Sequence, residues 1–268
     1  MSMYQETKGA LRMAKVYSVV NQKGGVSKTT TALNLASGLT MKKRKVLLID
    51  MDPSRNLSTT IGAKDVTPDI FDVCFEDVPV QDAIIRTPFG DAIPGSQRMS
   101  TWDMQPDKVG KEFRLREKIA PVLDVYDYII IDTPPMLGGI SVAAMVACNS
   151  VIIPSQADAY SLDGVTQLAE TIMTVKKYCN PDLQIAGVLI TNDNPQTVMS
   201  RDYKRNNQML ADQLGTRLFK TSIRHNVSIS EAQAMGQPLF TYAPSCNGAN
   251  DYTAWISELL KTEKKGGK

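Results

Sequence analysis

Five short aliphatic runs, each closing on polar or acidic residues, restrict this chain more than any other feature: VYSVVN (16–21), KVLLID (45–50), YIIIDTPP (128–135), SVIIPSQ (150–156) and IAGVLITN (185–192). Uninterrupted Val/Ile/Leu runs of this length suit strands covered on both faces, as in a parallel sheet. Between the first two runs, Ala32, Leu35, Ala36 and Leu39 recur at the spacing that forms one stripe of a helix. Strand, helix, strand is the βαβ unit. Repeated, it predicts an α/β fold with a mostly parallel central sheet flanked by helices, and ligands at the carboxyl ends of the strands. With 268 residues, 43% of them hydrophobic, one domain can bury a full core. We read a short extension over 1–13, a single domain over 14–260 and a basic tail over 261–268; residues 62–112 show no assignable pattern.

Composition removes several chemistries. Lys and Arg number 30 against 28 Asp and Glu, so a nucleic-acid role has to rest on local clustering of charge rather than on the net +2. The cysteines, Cys74, Cys148, Cys179 and Cys246, form no C-x-x-C pair, which argues against a zinc ribbon and suits a reducing, cytoplasmic setting. A single histidine, His225, leaves too few parts for most histidine-based triads. Hydrolysis would fall to carboxylates, lysines and a metal. Charged residues interrupt every apolar run of the first twenty positions, unlike a secretory leader, and no stretch approaches the roughly 20 apolar residues of a membrane span.

The polar residues at the strand ends carry the chemistry. Lys23 to Thr30 follow the first run, Asp50 and Asp52 lie at and just after the end of the second, and Asp132 ends the aliphatic part of the third. The stretch VVNQKGGVSKTTTALN (19–34) approaches the phosphate-binding pattern G-x-x-x-x-G-K-[ST], but has Gln22 and Ser27 where that pattern has glycine. A loop between strand and helix can turn its N–H groups toward phosphate oxygens, with the positive end of the helix dipole behind them. Gly24 and Gly25 would allow close backbone approach, Lys28 would reach the β and γ phosphates, and Thr29 would ligate Mg²⁺. The plainer alternative is a helix start with incidental lysines; the strand context and the Lys28-Thr29 pair argue against it. Asp132, ahead of Thr133-Pro134-Pro135, could hold Mg²⁺ through water.

Lys23 before paired glycines, with Lys28-Thr29-Thr30 following, resembles the deviant Walker A loop of the ParA/MinD group of P-loop ATPases. The likeness extends to LLIDMDPSRN (47–56), YIIIDTPP, VIIPSQADAYSLDGVTQL (151–168) and IRHNVSISEAQAMGQP (223–238), spans roughly 14–260, and is closest to the partitioning ATPases called ParA or Soj. The resemblance implies a P-loop NTPase fold and a nucleotide loop of Lys23, Gly24, Gly25, Val26, Ser27, Lys28, Thr29 and Thr30. Lys23 would act across a dimer interface on the partner's nucleotide, as an arginine finger does. It assigns catalysis to Lys23, Lys28 and Asp52, the last positioning water, and metal binding to Thr29, Asp50 and Asp132. Asn192, Ile223, Arg224 and Asn226 would face the adenine. Lys204, Arg205, Arg217, Lys220 and Arg224 would contact DNA phosphates.

The implied cycle uses ATP and Mg²⁺, an ATP-dependent homodimer, nonspecific DNA and a ParB-like centromere-binding partner in the cytoplasm on the nucleoid, with no membrane. Three departures stand out: Ser27 where the family often has glycine, Ser54-Arg55 in place of Gln-Gly, and Ser228 in place of a second arginine. Two other branches share the loop. A MinD-like positioning ATPase would use an amphipathic segment such as DYTAWISELLKTEKKGGK, but its apolar set, Trp255, Ile256, Leu259 and Leu260, is short and interrupted by Glu258, which favours packing on the sheet. A nitrogenase iron-protein relative would need a cluster cysteine after Asp132, and 133–146 contains none.

Overall fold

The computed structural model describes residues 13–106, 110–156, 162–194 and 198–266. The chain runs β1 (Lys15–Val19), α1 (Lys28–Met41), β2 (Val46–Asp50), α2 (Asn56–Thr60), α3 (Ile70–Phe75), β3 (Ile85–Thr87), β4 (Gly90–Ile93), α4 (Arg114–Ile119) and β5 (Tyr128–Asp132). It continues through α5 (Gly139–Ala147), β6 (Ser150–Gln156), α6 (Leu162–Tyr178), β7 (Gln184–Thr191), α7 (Val198–Gln213), α8 (Val227–Ala234), α9 (Leu239–Tyr242) and α10 (Asn247–Gly266). The order β3-β4-β2-β5-β1-β6-β7 forms one seven-stranded sheet. Every neighbouring pair is parallel except β3 with β4. The five runs read from sequence are β1, β2, β5, β6 and β7. The unassigned stretch supplies the β3–β4 hairpin at the sheet edge.

The period of two along each strand divides the core between two faces. Ile129 and Ile131 of β5, with Leu47 and Ile49 of β2, face a layer that includes Leu115, Ala144 and Leu168. Ile130, Leu48 and Tyr17 face the other way, toward Leu35 and Leu39 of α1 and Trp255 and Ile256 of α10. Trp255 and Ile256 are fully buried and Leu259 nearly so, so the amphipathic stripe of the last helix is spent on the core. Glu263 then ties α10 to the sheet, accepting from the Tyr17 hydroxyl and, at 3.0 Å, from the Tyr128 hydroxyl. The helix runs across residue 260 without a break. No helix among the described residues is long and apolar enough to cross a membrane.

Register places the chemistry. Asp132, the last residue of β5, pairs with Asp50 on one side and with Val19 on the other, immediately before the glycine loop.

Candidate nucleotide site

The loop between β1 and α1 is pinned before it reaches the helix. Asn21 donates through Nδ2 to the Pro154 carbonyl (2.6 Å) and accepts from the Lys23 amide (3.0 Å). The Gln156 amide donates to the Gly25 carbonyl, and the Thr191 hydroxyl to that of Val26 (3.2 Å). Gly25 (φ 76°) and Ser27 (φ 67°) both take left-handed backbone. Ser27 precedes α1 and its side chain caps nothing, so the first N–H groups of the 14-residue helix stand unclaimed by a capping side chain. Such a terminus favours anions. The Lys28 ammonium, buried within it, donates to the Lys23 carbonyl (2.9 Å), and burial holds its pKa below the usual lysine value despite Asp132 and Asp52 nearby.

Three carboxylates close the site. Asp132 is fully buried; its Oδ2 accepts from the Thr29 hydroxyl (2.6 Å), while Oδ1 has no protein partner. Burial, reinforced by the negative charge of Asp50, pushes its pKa well above the carboxylate range. A buried acidic oxygen left unpartnered beside a hydroxyl is a fitting place for a hard cation. Asp52 is largely buried, accepts from the Ser54 amide (2.9 Å) and borders a cleft of about 550 Å³ together with Gly24, Lys28, Thr29 and Pro135.

Asp50 does something else. Its Oδ2 accepts from both the Ser58 amide (2.9 Å) and the Ser58 hydroxyl (2.6 Å), and its Oδ1 from the Asp52 amide (3.1 Å). Burial raises its pKa to about 6 against those donors. A Cβ on Gly95 would lie 2.7 Å from its Cγ, so backbone seals its far side. Read from sequence as a metal residue, Asp50 has both oxygens engaged and braces the loop that carries Asp52.

A second cavity, about 270 Å³, adjoins the cleft and shares Ser27, Thr30 and Gln233 with it. Asn192, Ile223, Arg224 and Asn226 all line it, so the four residues read as an adenine site come together from β7 and the start of α8. Asn192 Oδ1 lies 2.7 Å from His225 Nδ1. Arg224 is held bidentately by Asp251 (2.7 and 2.9 Å), a partner that occupies the charge read as a DNA contact. Lys204, though exposed, is likewise paired with buried Asp193 (3.2 Å); Arg205, Arg217 and Lys220 are exposed as well. Sequence reasoning gave no role to Gln233, which accepts from the Thr30 hydroxyl (3.1 Å) and borders both cavities, nor to Ser58. Gln233 lies inside the 223–238 stretch already noted, but its partner is 203 residues away.

A family described as an AAA domain matches residues 14–185, well over half of the chain. The sporulation initiation inhibitor protein Soj of Bacillus subtilis is 36% identical over 252 residues, covering 92% of this chain and 98% of its own. The chromosome partitioning protein ParA of Myxococcus xanthus is 34% identical over 264 residues, 96% of this chain and 91% of its own. Among solved structures, cobyrinic acid a,c-diamide synthase from Mycobacterium smegmatis, with bound ADP and magnesium, superposes with a TM-score of 0.82 at 30% identity over 96% of this chain and 98% of that one. With a strand-ending aspartate, a lysine-bearing glycine loop and these relatives along nearly its whole length, the chain belongs to the ParA/Soj family of P-loop ATPases.

Proposed function

We propose that this chain is a DNA-partitioning ATPase: Mg-ATP drives its dimerisation, the dimer binds DNA without sequence preference, and a centromere-bound partner of ParB type stimulates hydrolysis and release. The observation that carries the ATPase half is the pairing of Thr29 with Asp132, whose second oxygen is unpartnered, at the uncapped start of α1 beside Lys28. In this reading the α1 N–H groups and the loop from Lys23 to Thr30 cradle the phosphates. Lys28 leaves the Lys23 carbonyl to neutralise the β and γ oxygens. Thr29 and Asp132 would hold Mg²⁺, which would supply charge neutralisation to the phosphates. Asp52 orients the attacking water, and Lys23 acts on the nucleotide of a second copy. The cavity lined by Asn192, Ile223 and Asn226 takes the purine. The partitioning half is supported by the relatives named ParA and Soj. Its DNA contacts fall to exposed cations, because Arg224 and Lys204 are paired within the chain.

Asp52→Ala tests the cycle. It removes the water-positioning carboxylate and leaves Lys28, Thr29 and the loop N–H groups intact. The variant should bind Mg-ATP, accumulate as a dimer by light scattering and dissociate from DNA more slowly than wild type, with phosphate release reduced at least a hundredfold, on the order expected for losing such a group. A protein that stays monomeric with ATP, or turns over at the wild-type rate, would remove Asp52 from this role.

A further inference from the structure

The purine cavity and the phosphate cleft share Ser27, Thr30 and Gln233 as lining residues. A nucleotide whose base fills one and whose phosphates fill the other has to pass its sugar between them, because the ribose is the covalent link; the inference drawn here rests on that reading of the site. Ser27 and Thr30 belong to the glycine loop and the first turn of α1. Of the three, only Gln233 comes from the opposite wall, on α8.

The backbone of Gln233 is set without any ligand. Asn226 opens α8 by accepting from the Ser228 amide (2.9 Å), and Ala232, one residue before Gln233, is buried in the same layer as Leu35 and Leu39 of α1. The helix then closes tightly: the Gln237 amide donates to the Ala232 carbonyl (2.9 Å) and the Gly236 amide to that of Gln233 (3.1 Å). Gly236 turns the chain in left-handed backbone (φ 63°), where a Cβ would stand 3.0 Å from the Thr60 carbonyl. Only the carboxamide of Gln233 is left to choose a partner. Its Oε1 accepts from the Thr30 hydroxyl (3.1 Å), which uses one of its two lone pairs. Among the described residues it makes no other side-chain hydrogen bond, so a second lone pair on Oε1 and both hydrogens of Nε2 stay available at the junction.

We propose that Gln233 reads the sugar: its carboxamide takes the vicinal diol of the ribose, Nε2 donating to one hydroxyl while Oε1 accepts from the other. The chain thereby distinguishes ribonucleotides from deoxyribonucleotides. A carboxamide presents a donor and an acceptor side by side, and a cis diol presents the complementary pair. Discrimination is modest because Gln233 is only half-buried. Water can reach the junction and partly replace a missing sugar hydroxyl, so the very large rejection ratios of a fully buried unpaired group do not arise. A side chain that merely ties α8 to α1 through Thr30 would behave differently. Loss of such a tie would weaken every adenine nucleotide by the same factor, since base and phosphates are common to all of them.

The test uses the full chain with Mg²⁺ and titration calorimetry, with ADP and its 2′-deoxy and 3′-deoxy forms, which are not hydrolysed during the measurement. Wild type should bind both deoxy forms roughly 2- to 10-fold more weakly than ADP, the range of a neutral hydrogen bond. Gln233→Leu, which removes both polar atoms at similar volume, should bind ADP more weakly and all three nucleotides alike. Gln233→Met, unbranched like glutamine, takes its place where leucine disturbs the helix end, and the wild-type comparison needs no variant at all. Equal affinity of wild type for the three nucleotides overturns the proposal. Discrimination against only one deoxy form, or discrimination that survives in Gln233→Leu, overturns it too, and each of these results leaves the nucleotide site standing. Failure of wild type to bind any of the three overturns the reading of the site itself.

Discussion

Asp132 and Asp50 lie in register on neighbouring strands, both fully buried, and each is harder to ionise than a free carboxyl. A carboxyl whose folded pKa is raised supports the fold fully below its unfolded pKa near 4, and that support is lost as pH rises through the folded value. For Asp50 that support falls away between about 4 and about 6. The metal-free protein, held in chelator, should therefore melt progressively lower as pH rises from about 4 to about 6, and lower again at higher pH as Asp132 ionises. Asp132→Asn should lessen that dependence, leaving the part due to Asp50, and should remove the stabilisation that Mg-ATP is expected to give wild type. Calorimetric scans across pH, with and without nucleotide, check both. A mutant that keeps the full pH slope would show that Asp132 does not carry the charge. The two glycine departures also belong at this scale. Ser27 and Arg55 both occupy left-handed backbone, at φ 67° and 57°, so the conformation is retained without the residue that adopts it freely. Arg55 is partly compensated by its guanidinium donating to the Lys64 carbonyl (3.0 Å).

At the scale of elements, α10 decides between an interior and a membrane role. Leu259 is almost fully buried against the α1 side of the sheet, whereas Leu260 beside it is only half-buried. Leu259→Ala should cost roughly 2–5 kcal/mol in urea unfolding, and Leu260→Ala clearly less. Equal, small losses would mean that the helix is not a core element. What could be read from sequence follows the same distinction between regular and irregular burial. The central strands announce themselves because β2 and β5 are covered on both faces and hold little but aliphatic residues. The β3–β4 hairpin does not: it lies at the sheet edge, is largely half-exposed, and carries Arg86 and Asp91 among its few residues. That Lys28 and Thr29 meet Asp132 was legible because one short loop joins β1 to α1 and Asp132 ends the neighbouring strand. The engagement of Asp50 by Ser58 and the restraint of Arg224 by Asp251 were not, since each depends on how a helix packs back on the loop it follows or faces. Charge was visible in the sequence; its neutralisation was not.

For the molecule as a whole, the proposed cycle requires two copies, and Lys23 is the residue that separates binding from assembly. Lys23→Ala should retain Mg-ATP binding, since Lys28 and the α1 terminus remain, but its hydrolysis rate per protomer should no longer rise with protein concentration. Titration calorimetry with ATP and a concentration series of phosphate release check this; an unchanged concentration dependence would exclude the trans role. The bond from the Lys28 ammonium to the Lys23 carbonyl gives the two lysines a common history. Lys28 is thus solvated by its own backbone, which acts as a resident competitor for the charge that a phosphate needs. Binding is thus an exchange of acceptors, and the measured affinity is a difference between them rather than the full strength of the new contact. The exchange also removes the Lys28 bond from the Lys23 carbonyl, while the Lys23 amide stays on Asn21 Oδ1 (3.0 Å). In the proposed cycle, arrival of a phosphate at Lys28 would leave the Lys23 carbonyl one hydrogen bond short, so that occupancy of one copy is felt at the residue proposed to reach for the next.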